Sequence, residues 1–383
     1  GFNSGDLSYL SAFTGGSFEK MSLFALSITP YITSSIIMQL LTIAIPKLEE
    51  MQKEGEDGRK KIASITRYVT IALALIESIA MAVGFGRQGL IKDYKDMSTI
   101  HYVTCIIVVV AALTAGSAVL MWIGERITEK GVGNGISIVL LINIISGMPS
   151  DFVTLYSTFV ANKSIARGVT VAVIIAAIVI AVVVLVVILQ DGERRIPVQY
   201  SQKVAGRKTI GGQATNIPLK VNTAGVMPII FASSIMQFPV IIVQLFTSNS
   251  YEWTKYLSQS YWCRVQMPKY SIGLLLYIIL VVVFAYFYTS ITFNPVQIAD
   301  NLKKAGGVVP GITPGRSTSE YLNKILNYIV FIGAVGLMIV ALIPIMCTGF
   351  FNASVSFGGT SIIIIVGVVL ETMKQIESMM VNR

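Results

Sequence analysis

Nine stretches of nearly unbroken apolar residues divide the chain, at about 23–45, 64–86, 101–123, 134–148, 168–190, 223–247, 271–293, 325–347 and 358–378. Most are as long as a helix that crosses about 30 Å of hydrocarbon, and the fourth is short for a span. Hydrocarbon offers no water to backbone N–H and C=O groups, so each stretch predicts a helix. Composition agrees: 54% of the 383 residues are hydrophobic, 13% are charged, and the mean hydropathy is +0.72. A soluble domain carries about a quarter charged residues, and this much apolar surface needs lipid as its solvent. The predicted fold is all-α, a polytopic membrane helix bundle.

Basic residues orient the bundle. If the segment after the first stretch is cytoplasmic, that side and the C-terminus together hold 20 of the 29 Lys and Arg residues. Cytoplasmic loops carry such an excess, so the C-terminus is expected inside. The net charge of +9 then needs no nucleic acid to explain it. Nine spans ending inside put the N-terminus outside. Residues 1–22 are too polar to span and lack the layout of a signal peptide, and the chain starts at Gly1. At least one upstream span is therefore expected, giving ten or more.

Two stretches stand apart from the Val/Ile/Leu-rich remainder. The first holds Thr29, Thr33, Ser34, Ser35 and Gln39, with Pro30 expected in mid-helix; the sixth holds Asn222, Ser233, Ser234 and Gln237, with Pro228 and Pro239. Both run proline, isoleucine two residues on, a Ser-Ser pair, isoleucine and Met-Gln, although the Ser-Ser pair falls one residue later in the sixth. One enters the membrane from outside and the other from inside. Similar segments of opposite sense predict an inverted repeat with the functional region between its halves; chance recurrence of Ser, Pro and Ile is the alternative. Proline bends a helix, and Ser, Thr and Gln bond between helices. The two stretches read as facing walls of an interior path or a movable seam, or as ordinary polar packing.

Reactive chemistry is scarce. Acidic groups such as Glu125 and Glu371 sit near span ends, and Glu77 is the exception. An ion-coupled transporter needs buried ionisable groups, so that class rests on Glu77 alone. Cys105, Cys263, Cys347 and His101 are scattered and form neither a zinc cluster nor a triad. No cofactor or metal is expected, and no enzyme: a nucleophile–base pair is not visible. The string GVGNGI at 131–136 opens a helix with no strand before it, which is no nucleotide-binding pattern.

Two long loops share the basic side, at 191–222 and 294–324. In the first, RIPVQYSQKV alternates and predicts a strand leading to a turn at Ala205–Gly206, which would raise Arg207 and Lys208 on a projection. The second has two Pro-Gly turns with basic residues beside them. These loops read as a docking face for an acidic or RNA-bearing partner, or as the charge bias alone.

The segments ALSITPYITSSIIMQLL, KEGEDGRKKIASITRY, MWIGERITEKGVGNGISI, PLKVNTAGVMPIIFASSI, FNPVQIADNLKKAGGVVPGITPG and FGGTSIIIIVGVVLETM follow in order along essentially the whole chain. Together they resemble the SecY family, channel subunits of the bacterial Sec protein translocase. The resemblance implies two five-helix halves around a central pore, with the first of ten spans absent here. It assigns a plug to 1–22, including Phe13, Gly15 and Gly16. The rest of the N-terminal half, with four spans, falls at 23–148, an external connection at 149–166, and a five-span C-terminal half at 167–383. It implies a pore ring of Ile28, Ile32, Ile136, Leu140, Ile230 and Ile364, where Leu140 takes a position that is often isoleucine. It implies a lateral gate on the first and sixth stretches, carrying Thr33, Ser34, Gln39, Ser233, Ser234 and Gln237.

The basic loops, with Arg194, Arg195, Arg207, Lys208, Lys303, Lys304 and Arg316, correspond to the surface that receives a SecA motor or a ribosome. SecE-like and SecG-like small subunits, signal peptides, nascent secretory chains and the lipid bilayer are the other implied partners. The implied place is the bacterial plasma membrane. One departure stands out: the family usually writes VPGIRPG, and Thr313 occupies the arginine position, with Arg316 the nearest basic residue.

Physics makes such a ring reasonable. Ile28 and Ile32 are four apart, as are Ile136 and Leu140, so each pair shares a helix face. A narrow apolar constriction sheds water and blocks ions without charge. Isoleucine is common throughout the chain, and only the resemblance singles these out. The expected function is a passive, gated protein-conducting channel, driven by a partner because the chain has no ATP site.

Overall fold

The computed structural model describes residues 24, 26–85, 98–157, 164–200, 203–205, 208–210, 214–222, 225–246, 256, 269, 272–351 and 360–382. Among these, each of the nine apolar stretches carries one main helix. They are α1 (Thr29–Ala44), α3 (Glu56–Phe85), α4 (Thr99–Lys130), α5 (Gly135–Leu155), α6 (Ile165–Asp191), α7 (Met227–Phe246), α8 (Ile272–Thr292), α10 (Arg316–Phe351) and α11 (Thr360–Val381). Two shorter helices, α2 (Pro46–Lys53) and α9 (Pro295–Ala305), follow α1 and α8. On length and composition, α3, α4, α6, α8 and α10 can each cross a membrane. The fourth stretch, short in sequence, becomes a 21-residue helix that runs through Pro149.

Pro30 is not in mid-helix. The chain turns at 26–28, with Ser27 at φ +52, and α1 starts only at Thr29, which leaves Pro30 in the first turn. A first-turn residue has no intrahelical partner for its N–H, so proline costs nothing there. Pro228 occupies the same place in α7, after a turn with Gly225 at φ +66, and only Pro239 lies inside that helix. Both helices therefore begin with a positive-φ residue three before a first-turn proline. The sharp bend falls later: α1 and α2 meet at 101°, at the Ile45–Pro46 junction.

Neighbouring helices pack in two groups. One joins α1 to α3, α3 to α4 and α4 to α5; the other joins α7 to α8, α8 to α10, and α6 to both α10 and α11. The groups meet along two seams, α1 and α3 against α7, and α5 against α11. Helix α6 is mostly exposed: 11% of its most apolar stretch is buried, against 50% for α10. The first therefore presents most of its side chains outward, while the second runs through the protein.

Among the described residues, strands occur only on the two long basic-side loops, 191–222 (the third loop on that side) and 294–324 (the fourth). β1 (Glu193–Tyr200) pairs antiparallel with β4 (Ala214–Lys220), and also with the two-residue β5 (Gly307–Val308) from the other loop. β2 (Lys203–Ala205) and β3 (Lys208–Ile210) form a separate hairpin ladder with Ala205 opposite Lys208. The alternating run thus builds two strands instead of one. Ile196, Val198 and Leu219 of the sheet, Leu302 of α9, Val309, and Leu322 and Ile325 of α10 make a small core of their own. The two loops are one composite platform.

Candidate functional site

Local geometry turns six aliphatic side chains inward. At the start of α1, the turn is held from two other helices. Asn143 Nδ2 of α5 donates to Ser27 Oγ at 3.0 Å, and Ser117 Oγ of α4 donates to Ser27 O at 3.4 Å. Ile28 and Ile32 follow one helical turn apart, 0% and 2% exposed.

The glycine string before α5 serves close packing. Asn134 caps the helix, its Oδ1 accepting the Ile136 N–H at 3.1 Å, and Thr128 Oγ1 accepts the Gly135 N–H at 2.8 Å. A Cβ on Gly135 would fall on the carbonyl of Gly124, and one on Gly124 would come within 3.0 Å of Ile28 Cδ1. This approach seats α5 against α4 and α1, and it buries Ile136 and Leu140. Ile230 on α7 and Ile364 on α11 are fully buried.

All six residues belong to one continuous apolar cluster, together with neighbours such as Val139, Ile144, Val226 and Ile363. They come from α1, α5, α7 and α11, four of the five helices that make the two seams between the groups. Phe231 adds a lining on the α8 side, edge-on to Phe284 and Tyr288 at ring-centroid distances of 6.0 and 6.2 Å. Val182, on an apolar helix with no sign of function in sequence, is buried in the same cluster.

The polar residues of α1 and α7 are placed differently from one another. Ser34 Oγ donates to Thr66 O of α3 at 2.8 Å, and Thr33 Oγ1 donates back to Thr29 O at 3.1 Å. Ser233 bonds with Tyr277 of α8. Ser34 and Ser233 each tie their helix to a partner in its own group. Ser234 is half-buried. Gln39 Oε1 and both amide atoms of Gln237 are buried with no hydrogen-bond partner among the described residues. Glu77 is buried on α3, beside a Ser78–Thr114 hydrogen bond of 3.2 Å.

On the platform, Arg194 and Arg195 are exposed on β1, Arg195 pairing with Glu193 at 3.0 Å. Lys303 and Lys304 project from the last turn of α9, where a cation suits the helix C-terminus. Arg316 opens α10 and pairs with Glu320 at 3.2 Å, both widely exposed. Thr313 is exposed too, and its carbonyl accepts the Thr318 hydroxyl at 2.8 Å. Lys208 has its backbone in β3. Arg207 and the plug residues Phe13, Gly15 and Gly16 lie outside the described residues. No group of acidic, histidine or cysteine side chains among the described residues would hold a metal.

The SecY family profile matches residues 22–373. The protein translocase subunit SecY of Streptomyces galbus is 42% identical over 394 aligned positions, covering all of this chain and 86% of the relative. That of Halalkalibacterium halodurans is 41% identical, over 98% of this chain and 86% of its own. Among solved structures, one described as a protein conducting channel aligns with a TM-score of 0.64 at 18% identity, over 97% of this chain and 84% of that one. Sec61 in a canine ribosome–channel complex aligns at a TM-score of 0.60 with the same identity and coverage. The structural likenesses establish the fold, and with the profile spanning 22–373 and the two relatives matched along nearly the whole chain, the chain belongs to the SecY family.

Proposed function

We propose that this chain is the protein-conducting channel of a Sec translocase, and that the six aliphatic residues between the seams are its constriction. The observation that carries the reading is their meeting in one apolar cluster, drawn from four of the five helices where the two groups touch. Ions are excluded because a narrow apolar passage does not stay wetted. Side chains of Ile and Leu make no directional bonds, so they part around an extended polypeptide and close behind it. Parting of α1 from α7 opens a path to lipid, and apolar segments leave along it with a gain of about 25 cal/mol per Å² withdrawn from water.

In this reading residues 1–22 are the plug, 23–148 complete the N-terminal half, 149–166 connect the halves outside, and 167–383 form the C-terminal half. The channel lies in the bacterial plasma membrane with its C-terminus in the cytoplasm. SecE-like and SecG-like subunits accompany it, signal peptides and nascent secretory chains are its cargo, and a SecA motor or a ribosome docks on the basic platform. With Thr313 in place of the family arginine, Lys303, Lys304 and Arg316 supply the charge on the α9–α10 side.

Polar substitution of the constriction tests this. Ile364→Asn and Ile230→Asn should raise the resting ion conductance of vesicles and allow export of a precursor with a defective signal sequence. Wild-type conductance and wild-type signal selectivity in both variants would remove the ring assignment.

A further inference from the structure

The platform loop leaves the membrane from α6 and returns through α7, and both of its feet rest on α11. At the returning foot, the N–H of Val226 donates to the carboxylate of Glu371. The first N–H groups of a helix have no partner within it, so this carboxylate acts as a cap supplied by another helix. The fit is close. A Cβ on Gly225 would fall on the Glu371 carboxylate, and one on Gly367, a turn earlier in α11, would fall on the Val226 side chain. At the departing foot, Lys374 Nζ donates to Gln190 O at 3.0 Å and pairs with Asp191 Oδ1 at 2.8 Å. α11 therefore sets an anion at the N-terminus of α7 and a cation at the C-terminus of α6, the sign that each helix end favours. Between the feet, the Val221 N–H donates to Gly192 O at 2.9 Å and closes the base of the loop.

This clamp sits just above the constriction. Gly225 against Glu371 and Val226 against Gly367 make α7 and α11 antiparallel here. Counting inward from the Val226–Gly367 level, Ile230 is four residues away and Ile364 three. At 1.5 Å per residue they lie about 6 and about 4.5 Å deeper, at nearly one depth.

We propose that Glu371 and Lys374 are positioning residues that pin both feet of the platform loop to α11 and thereby hold Ile230 and Ile364 level in the closed ring. The inference rests on the ring assignment above. It gives the platform a route to the constriction: a partner that shifts the loop shifts α7 against α11 through these two side chains.

The test uses the full-length chain with its partner subunits in membrane vesicles, reading resting anion leak per inserted channel. The variants are Glu371→Gln, Lys374→Met, the conservative Lys374→Arg, and Ile230→Asn as a ring control. Glu371→Gln and Lys374→Met should each raise the leak about two- to fivefold, the span of a helix-end charge interaction. Lys374→Arg should stay at the wild-type level. A merely structural role would lower the amount of inserted protein without changing leak per channel. Wild-type leak in both clamp variants, with Ile230→Asn leaking, overturns the inference. A silent Ile230→Asn overturns the ring assignment beneath it instead. If Glu371→Gln fails to insert, Lys374→Met decides alone, and its wild-type leak overturns the proposal.

Discussion

The absent side chain of Gly135 matters as much as any present one. Its Cα lies against the Gly124 carbonyl, and a methyl group there collides with backbone that has no rotamer to yield. Gly135→Ala should destabilise the protein by about 1–3 kcal/mol, the usual cost of overpacking, and a lowered Tm of the purified complex checks it. Gln237 predicts the opposite sign. Its side chain is 4% exposed, with both amide atoms unpartnered among the described residues. A buried polar group without a partner costs about 1–3 kcal/mol, so Gln237→Leu should raise Tm. It should also slow export of precursors with weakly apolar signals, because the closed arrangement gains most; unchanged Tm and unchanged export would contradict this. Neither effect was legible in sequence. GVGNGI read correctly as a helix opening, but the crossing that makes Gly135 necessary is a tertiary contact with no spacing rule. The inward face of Ile28 and Ile32 was likewise not fixed by periodicity, since isoleucine is common throughout the chain and the polar Ser34 is as buried as they are.

Elements were more legible than residues. An apolar run of twenty or so residues has one solution in lipid, so every main helix lay where hydropathy placed it. The exceptions have local causes. A proline reads as a kink wherever it falls in an apolar run; its harmless seat in the first turn of α1 depends on the turn at Ser27, which no sequence signal marks. The alternating run in the third loop was visible, but β5 spans only Gly307–Val308. Two residues carry no period, and so the joining of the two loops through β1 is a tertiary contact with no local signal in the sequence. That joining makes a prediction. Arg194 and Arg195 share one rigid surface with Lys303 and Lys304, so Lys303→Glu with Lys304→Glu should weaken partner docking even when the third loop is intact. The loss should be large at low salt and shrink as salt rises, since exposed charges are screened over about 10 Å at 0.1 M. Equal affinity at low salt would separate the fourth loop from the docking face.

At the scale of the molecule, the first and sixth stretches share a local structure as well as a sequence theme: a positive-φ turn and a first-turn proline begin both α1 and α7. The seams then follow from packing, α1 and α3 on α7 at one side, α5 on α11 at the other, with the six aliphatics between them. Val182 shows the limit of reading function from composition, because an undistinguished valine shares the cluster with the ring while its neighbour Ile174 on the same helix faces outward. The central claim is that a polypeptide passes between the seams. A photo-crosslinking residue placed at Ile32, Ile230 or Ile364, with a secretory precursor stalled midway through export, tests it most directly, and Ile174 provides the lipid-facing control. Adducts at all three ring positions and none at Ile174 are the predicted result. Efficient export without an adduct at any of the three would contradict the account.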